Sequence, residues 1–276
     1  MSDLATAESP TTAAEAKRGS GKFFWYELMT SDLDAAIDYY TKVVGWTASD
    51  MPMPGDSGQR YVILNVGERG IGGVMQITDR MREGGARPGW LGYIHVADAD
   101  AKAKSITEAG GKVLMGPQDI PEVGRFALAA DPGGAPFYVM MPFPREPMPP
   151  LDPTTPGVVS WHELYSSLGD KAAFDFYAGQ FGWESLHEMD MGPMGTYRIF
   201  GKDGVQMGGM MKKPDNLPVS AWGYYVNVDG LDAAVERIDA NGGKVAMGPM
   251  EVPGGSWVLQ AVDPQGAHFA LIAPTR

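Results

Sequence analysis

Two glutamates sit in nearly the same local run. Glu27 lies in WYEL and Glu163 in WHEL, each two residues after a tryptophan. In an extended chain, residues i and i+2 share a face, so Trp25 points the same way as Glu27, and Trp161 the same way as Glu163. A carboxyl buried against an indole has its pKa raised, and can move a proton or orient a ligand. The plainer use is structural: such a group accepts hydrogen bonds from backbone amides or a tyrosine hydroxyl near a sheet edge. Both readings stay open, because copying the run would preserve either role. Tyr61 and Tyr197 recur as a pair, as do Tyr93 and Tyr225.

The four histidines are His95, His162, His187 and His268. No two have HxH or HxxxH spacing and none recurs at a matched position, so they read as separate surface or rim imidazoles. The sharper alternative is a displaced site that uses His268 with Glu163. The chain has no cysteine, which excludes disulfides, zinc thiolates and thiol nucleophiles. There is no nucleophilic triad, no GxGxxG after a strand and no phosphate-cradling loop. Methionine is abundant, with 18 residues, and it fills irregular apolar cavities that adapt to varied ligands.

The elements that must hold these residues are written twice. WYELMTSDLDAAIDYYTKVVGW from Trp25 is echoed by WHELYSSLGDKAAFDFYAGQFGW from Trp161, and Trp90–Phe137 aligns without a gap to Trp222–Phe269. Six of the seven tryptophans fall in matched pairs: Trp25/Trp161, Trp46/Trp183 and Trp90/Trp222. The repeat is far longer than a solenoid unit, so it is a duplicated domain. Each copy reads as strand, helix and three strands, repeated. Leu33, Ala36, Ile37 and Tyr40 share one helical face behind a cap at Ser31 or Asp32. DPGG from Asp131 has the proline and glycine placement of a type I turn.

The copies span 21–142 and 157–276, each long enough to bury a core. Between Pro142 and Pro156 stand seven prolines in fifteen residues, so 143–156 reads as an extended linker. It is long enough for the two copies to pack side by side within one chain. Residues 1–20 lack the basic start and apolar run of a signal peptide and read as a disordered leader. A formal net charge of −12 argues against nucleic-acid or anionic-membrane partners. No apolar run approaches the ~20 residues that span a bilayer, and the expected location is the cytoplasm.

The βαβββ order, the run D-L-x-x-A-x-x-Y-Y-x-x-V-x-G-W and the closing D-P-x-G hairpin resemble the vicinal oxygen chelate superfamily, which includes glyoxalase I, bleomycin resistance proteins and extradiol dioxygenases. WxEL and GGKVxMGP in both copies resemble a tandem two-domain bacterial subgroup. The resemblance implies an α+β fold: two tandem domains, each a pair of βαβββ modules forming a curled, cup-like mixed sheet. It places the family's metal-ligand positions, within about one residue, at Trp25, Met75, Leu91 and Tyr138, and at Trp161, Met211, Gly223 and Ala270. None is a carboxylate or an imidazole. The expectation is therefore a metal-free cup, without a cofactor, that binds a small apolar or aromatic molecule. Its walls would be Trp25, Tyr61, Met75, Tyr93, His95 and Tyr138 in one copy. In the other they would be Trp161, Tyr197, Met211, Tyr225 and His268. The gly-pro-rich loops Met51–Gln59 and Met189–Thr196 would act as lids. The alternatives are a metal-dependent lyase, isomerase or dioxygenase with an unorthodox site, or a metal-free enzyme with Glu27 or Glu163 as base.

Overall fold

The computed structural model describes residues 20–51, 59–146 and 148–276. The expected leader up to residue 19, and residues 52–58 of the first lid, lie outside them. The first copy holds β1 (Phe23–Thr30), α1 (Leu33–Val43), β2 (Thr47–Met51), β3 (Tyr61–Val66) and β4 (Arg69–Gln76). A short helix, α2 (Asp79–Glu83), leads to β5 (Gly89–His95), α3 (Ala99–Glu108), β6 (Lys112–Ile120), β7 (Gly124–Ala130) and β8 (Pro136–Pro142). The second copy holds β9 (Val159–Ser166), α4 (Asp170–Phe181), β10 (Glu184–Asp190), β11 (Thr196–Lys202) and β12 (Val205–Lys212). It continues with β13 (Ala221–Asn227), α5 (Leu231–Ala240), β14 (Lys244–Glu251), β15 (Trp257–Val262) and β16 (His268–Ala273).

Local chemistry accounts for most boundaries. Asp32 and Asp98 cap α1 and α3 by accepting from Ala35 N and Ala101 N. The Asp131 and Asp263 turns close with Gly134 N–H on Asp131 O and Gly266 N–H on Asp263 O. Two elements leave no mark in the sequence. The short helix α2 buries no side chain, and β2 exposes four of its five residues. Neither carries apolar periodicity, and β2 exists by pairing with β3.

Each copy forms one eight-stranded mixed sheet, ordered β2-β3-β4-β1-β5-β8-β7-β6 and β10-β11-β12-β9-β13-β16-β15-β14. β1 runs parallel to β4 and antiparallel to β5, which brings the two modules of a copy together at its centre. Alternation along β1 sends Tyr26 and Leu28 to the helix face and Trp25 and Met29 to the cup face. Two helices cannot cover the helix face of eight strands, so the copies cover each other. One core joins α1, β3 and β4 to α5, β15 and β16. The other joins α3, β7 and β8 to α4.

Polar groups buried in this contact come in mirrored sets. Trp90 Nε1 donates to the Tyr40 hydroxyl at 2.9 Å, and Tyr40 donates to Asp263 at 3.1 Å. Trp222 donates to Tyr177 at 2.9 Å, and Tyr177 to Asp131 at 3.2 Å. Trp46 Nε1 reaches Gly157 O at 2.8 Å, and Trp183 Nε1 reaches Gly21 O at 2.5 Å. Residues 143–158, described except for 147, contain no helix or strand. Leu151 packs on the first core, and Asn227 Nδ2 donates to Pro153 O at 2.6 Å.

At the centre of the contact, matched positions meet and differ. Tyr26 and its counterpart His162 lie 2.7 Å apart, hydroxyl to Nε2. His162 Nδ1 is 2.7 Å from Met207 O. A carbonyl only accepts, so Nδ1 carries the proton and Nε2 accepts from Tyr26. Phe23 stacks on the imidazole with centroids 4.3 Å apart. Gly92 leaves room for its counterpart Tyr224, whose hydroxyl accepts from Gly92 N at 2.6 Å. His162 is thus not the surface or rim imidazole that its lone position in the sequence suggests, but a buried, neutral part of the contact.

Two expected outcomes follow from this contact. Cleavage within residues 143–156 leaves the halves associated on size-exclusion chromatography; separation into stable monomers would show that the shared cores do not hold them. The second concerns pH. Burial lowers the His162 pKa from 6.5 to about 4. The unfolded chain therefore takes up a proton between about pH 6.5 and 4 that the folded chain refuses, and stability falls as pH drops through that window. The full loss is on the order of 3 kcal/mol. Urea melts of wild type and His162→Gln across this window isolate the effect: the stability of the wild type relative to the variant should fall as pH drops from about 6.5 to 4, and a constant difference would show that His162 does not titrate there.

Candidate functional site

The cup of the first copy is organised around Glu27. This residue sits mid-strand on β1, opposite Gly73 on β4 and Leu91 on β5. Its carboxylate accepts from the hydroxyls of Tyr61 at 3.2 Å and Tyr93 at 3.1 Å. Trp25 Nε1 donates to Tyr61 at 3.0 Å, and Tyr138 stacks on Tyr93 with centroids 4.1 Å apart. Burial pushes the Glu27 pKa up, and the hydroxyls of Tyr93, Tyr61 and Tyr138 hold it partly back. Burial and the Glu27 charge push all three phenols upward, so they remain neutral donors.

The second cup repeats the core of this network. Glu163 lies opposite Gly209 on β12 and Gly223 on β13. It accepts from Tyr197 at 2.9 Å and from Tyr225 at 2.6 Å, and Trp161 Nε1 donates to Tyr197 at 2.9 Å. Two further groups join it. Tyr165 donates to Glu163 at 2.6 Å, and Gln260 Nε2 approaches both Glu163, at 3.3 Å, and the hydroxyls of Tyr165 and Tyr225, at 2.9 Å each.

A glycine in each copy makes these networks possible. A Cβ at Gly73 would overlap the Tyr61 ring and hydroxyl, and one at Gly209 would overlap those of Tyr197. Only an absent side chain lets each phenol lie flat across β4 or β12 and reach the glutamate on the next strand. The matched GGVM and GGMM runs carry this signal. Tyr165 and Gln260 carry none, because their counterparts in the first copy are Met29 and Leu128.

The other expected wall residues distribute unevenly. Met75 pairs with Met29 and Tyr61, half-buried at the cup face, and Met211, paired with Tyr165, is buried. His95 ends β5, where its ring meets Phe24 edge-on at 5.9 Å. His268 is exposed at the start of β16, opposite Val262, and the Glu163 network does not include it. His187 is exposed on β10. The second lid contains a single 3-10 turn at Gly192–Met194.

A divalent ion needs several carboxylate or imidazole donors converging on one point. Each cup offers one glutamate, already ringed by phenols. Among the described residues, no group of three or more His, Cys, Asp or Glu is placed to hold a metal. The donor set does not fit the metal that the resemblance implies.

The family model described as Glyoxalase/Bleomycin resistance protein/Dioxygenase superfamily matches residues 22–139 and 170–271. CFP32 of Mycobacterium bovis, a proposed glyoxylase, is 30% identical over 250 residues, covering 91% of this chain and 94% of that protein. The anthracycline biosynthesis protein DnrV of Streptomyces peucetius is 33% identical over 263 residues, covering 90% of this chain and 91% of that one. The chain belongs to this superfamily. Among solved structures, the Mn(II)-bound glyoxalase from Novosphingobium aromaticivorans shares the fold with a TM-score of 0.62 at 16% identity, covering 92% of this chain and 82% of that one. The 2,3-dioxygenase LapB from Pseudomonas sp. KL28 also gives 0.62, at 12% identity and 91% coverage of both chains.

Gly73→Ala is expected to destabilise the protein by about 1–3 kcal/mol, the usual cost of overpacking. In a Tyr61→Ala background the same substitution costs much less, because the ring it strikes is gone. Chemical denaturation of the four proteins in this cycle measures the coupling; additive costs would mean Gly73 makes no room for Tyr61.

Proposed function

We propose that the protein binds a small, mostly apolar or aromatic molecule in a cup that works without a metal. The observation that carries this reading is the composition of the two cup faces. Each surrounds one hydrogen-bonded glutamate with tryptophan, tyrosine and methionine and, among the described residues, offers no second ligand for an ion. Aromatic walls favour a flat ligand, since stacked rings gain roughly 0.5–1.5 kcal/mol beyond area burial. DnrV, named for anthracycline biosynthesis, agrees with an aromatic ligand; CFP32 keeps a glyoxalase-like lyase as the alternative. A metal-free base at Glu27 is the weaker reading, because two tyrosine hydroxyls already occupy its carboxylate.

Protein purified without chelator should contain far less than one Zn, Ni, Mn or Fe per chain, and EDTA should leave ligand binding unchanged. A broad panel of aromatic compounds should include members that quench tryptophan fluorescence saturably. Stoichiometric metal whose removal abolishes binding would refute the metal-free cup, and no saturable quenching by any member would refute the binding reading.

A further inference from the structure

The two cups have diverged in what fills them. In the first cup Leu91, Tyr138 and Phe126 are buried together over the sheet. Their counterparts in the second are Gly223, Ala270 and Val258. Against these three losses Met29 has become Tyr165, and Gly70, beside the Trp25 ring, has become the exposed Gln206. Gly223 shows the result directly. It pairs with Glu163 on β9, two residues before β13 begins to pair with β16 at Tyr225, and it is partly exposed, whereas Leu91 at the matched place is buried. A Cβ placed on Gly223 finds nothing nearer than Glu163 O at 3.8 Å. In the first cup, Tyr138 covers the face of Tyr93. Among the described residues no ring stacks on Tyr225, and Ala270 stands where that ring would be rooted.

The polar groups beside this opening have a definite sign. Tyr165, Tyr197 and Tyr225 all give their protons to Glu163. Two of these hydroxyls must then accept from Gln260, so its nitrogen faces them and its oxygen faces away. The Trp161 N–H is spent on Tyr197. What remains unused is acceptor capacity: Gln260 Oε1, and Glu163 Oε1, which takes only the Tyr197 hydroxyl. The first cup has Leu128 in place of Gln260, and its own acceptor, Glu27, lies beside the stacked Tyr93 and Tyr138 rings.

Resting on the binding reading above, we propose that the second cup is the one that takes a ligand. The ligand is a planar ring bearing a hydroxyl or amine donor. It lies over Gly223 and Ala270 with its donor on Gln260 and Glu163. Tyr138 is the first cup's own substitute for that ring.

The test is calorimetric titration of the full chain with 2-naphthol and with 2-methoxynaphthalene, which has the same rings and no donor. One 2-naphthol site per chain is expected, about tenfold tighter than the methoxy compound. Gly223→Leu, which rebuilds the first cup's plug, should weaken 2-naphthol at least tenfold. Gln260→Leu should remove the preference for the hydroxyl while leaving melting cooperative, and serves even if Gly223→Leu fails to fold. Tyr138→Ala, which removes the first cup's plug, should leave the affinity of the second-cup site unchanged and at most add a separate second site. Equal affinity for both probes would overturn the donor requirement. Binding that survives both second-cup variants and responds to Tyr138→Ala would move the site to the first cup, with the binding reading intact. No binding of either probe to any of these proteins would overturn the second-cup proposal, while the binding reading would still be decided by the wider aromatic panel.

Discussion

Two buried tyrosine–aspartate hydrogen bonds hold this molecule in its arrangement. Tyr40 on α1 reaches the Asp263 turn, and Tyr177 on α4 reaches the Asp131 turn. Each aspartate also binds its own turn, accepting from Ala267 N or Ala135 N at 2.8 Å. Burial pushes both carboxyls upward, and the amide and phenol donors offset part of that cost. A polar group this deep is tolerable only when hydrogen-bonded. The turn of one copy therefore depends on a helix of the other. That dependence turns both helix faces inward and leaves both cup faces outward, so each cup is built from one copy alone.

Where the copies meet, a residue at the centre of the contact faces its own counterpart, and here the two members of the pair differ. Two tyrosines at Tyr26 and His162 would present two phenols with no carbonyl-bound acceptor between them. An imidazole locked by Met207 O supplies that acceptor. In the same way Gly92 cedes the volume that Tyr224 fills. The asymmetry gives the contact one fixed donor, Tyr26, and one fixed acceptor, His162. The cups lie away from this centre and have been free to diverge for other reasons, one toward a closed aromatic floor and the other toward an open, acceptor-lined one.

Glu27 and Glu163 each fill the structural role of a carboxylate that gathers tyrosine hydroxyls. Each anchors tyrosines from neighbouring strands, which is a structural task, and each thereby places a carboxylate on a cup face beside aromatic rings. The tyrosine hydroxyls satisfy each carboxylate by hydrogen bonding, where a bound cation would do so by coordination.

The duplication, the α+β module order, the Asp caps and turns, and the pairing of Trp25 with Glu27 were legible in the sequence because each rests on local spacing: period two along a strand, or matched residues at a fixed offset. Tertiary structure alone decided the rest. The matched tryptophans Trp46, Trp90, Trp183 and Trp222 proved to serve the contact between copies, and His162 to be neutral and buried, because their partners lie in the other half of the chain. His268 stayed outside the second cup network while Tyr165 and Gln260 entered it. No sequence spacing encodes that exchange, since a side chain's reach across three strands depends on which neighbours, such as Gly209 and Gly223, leave space for it.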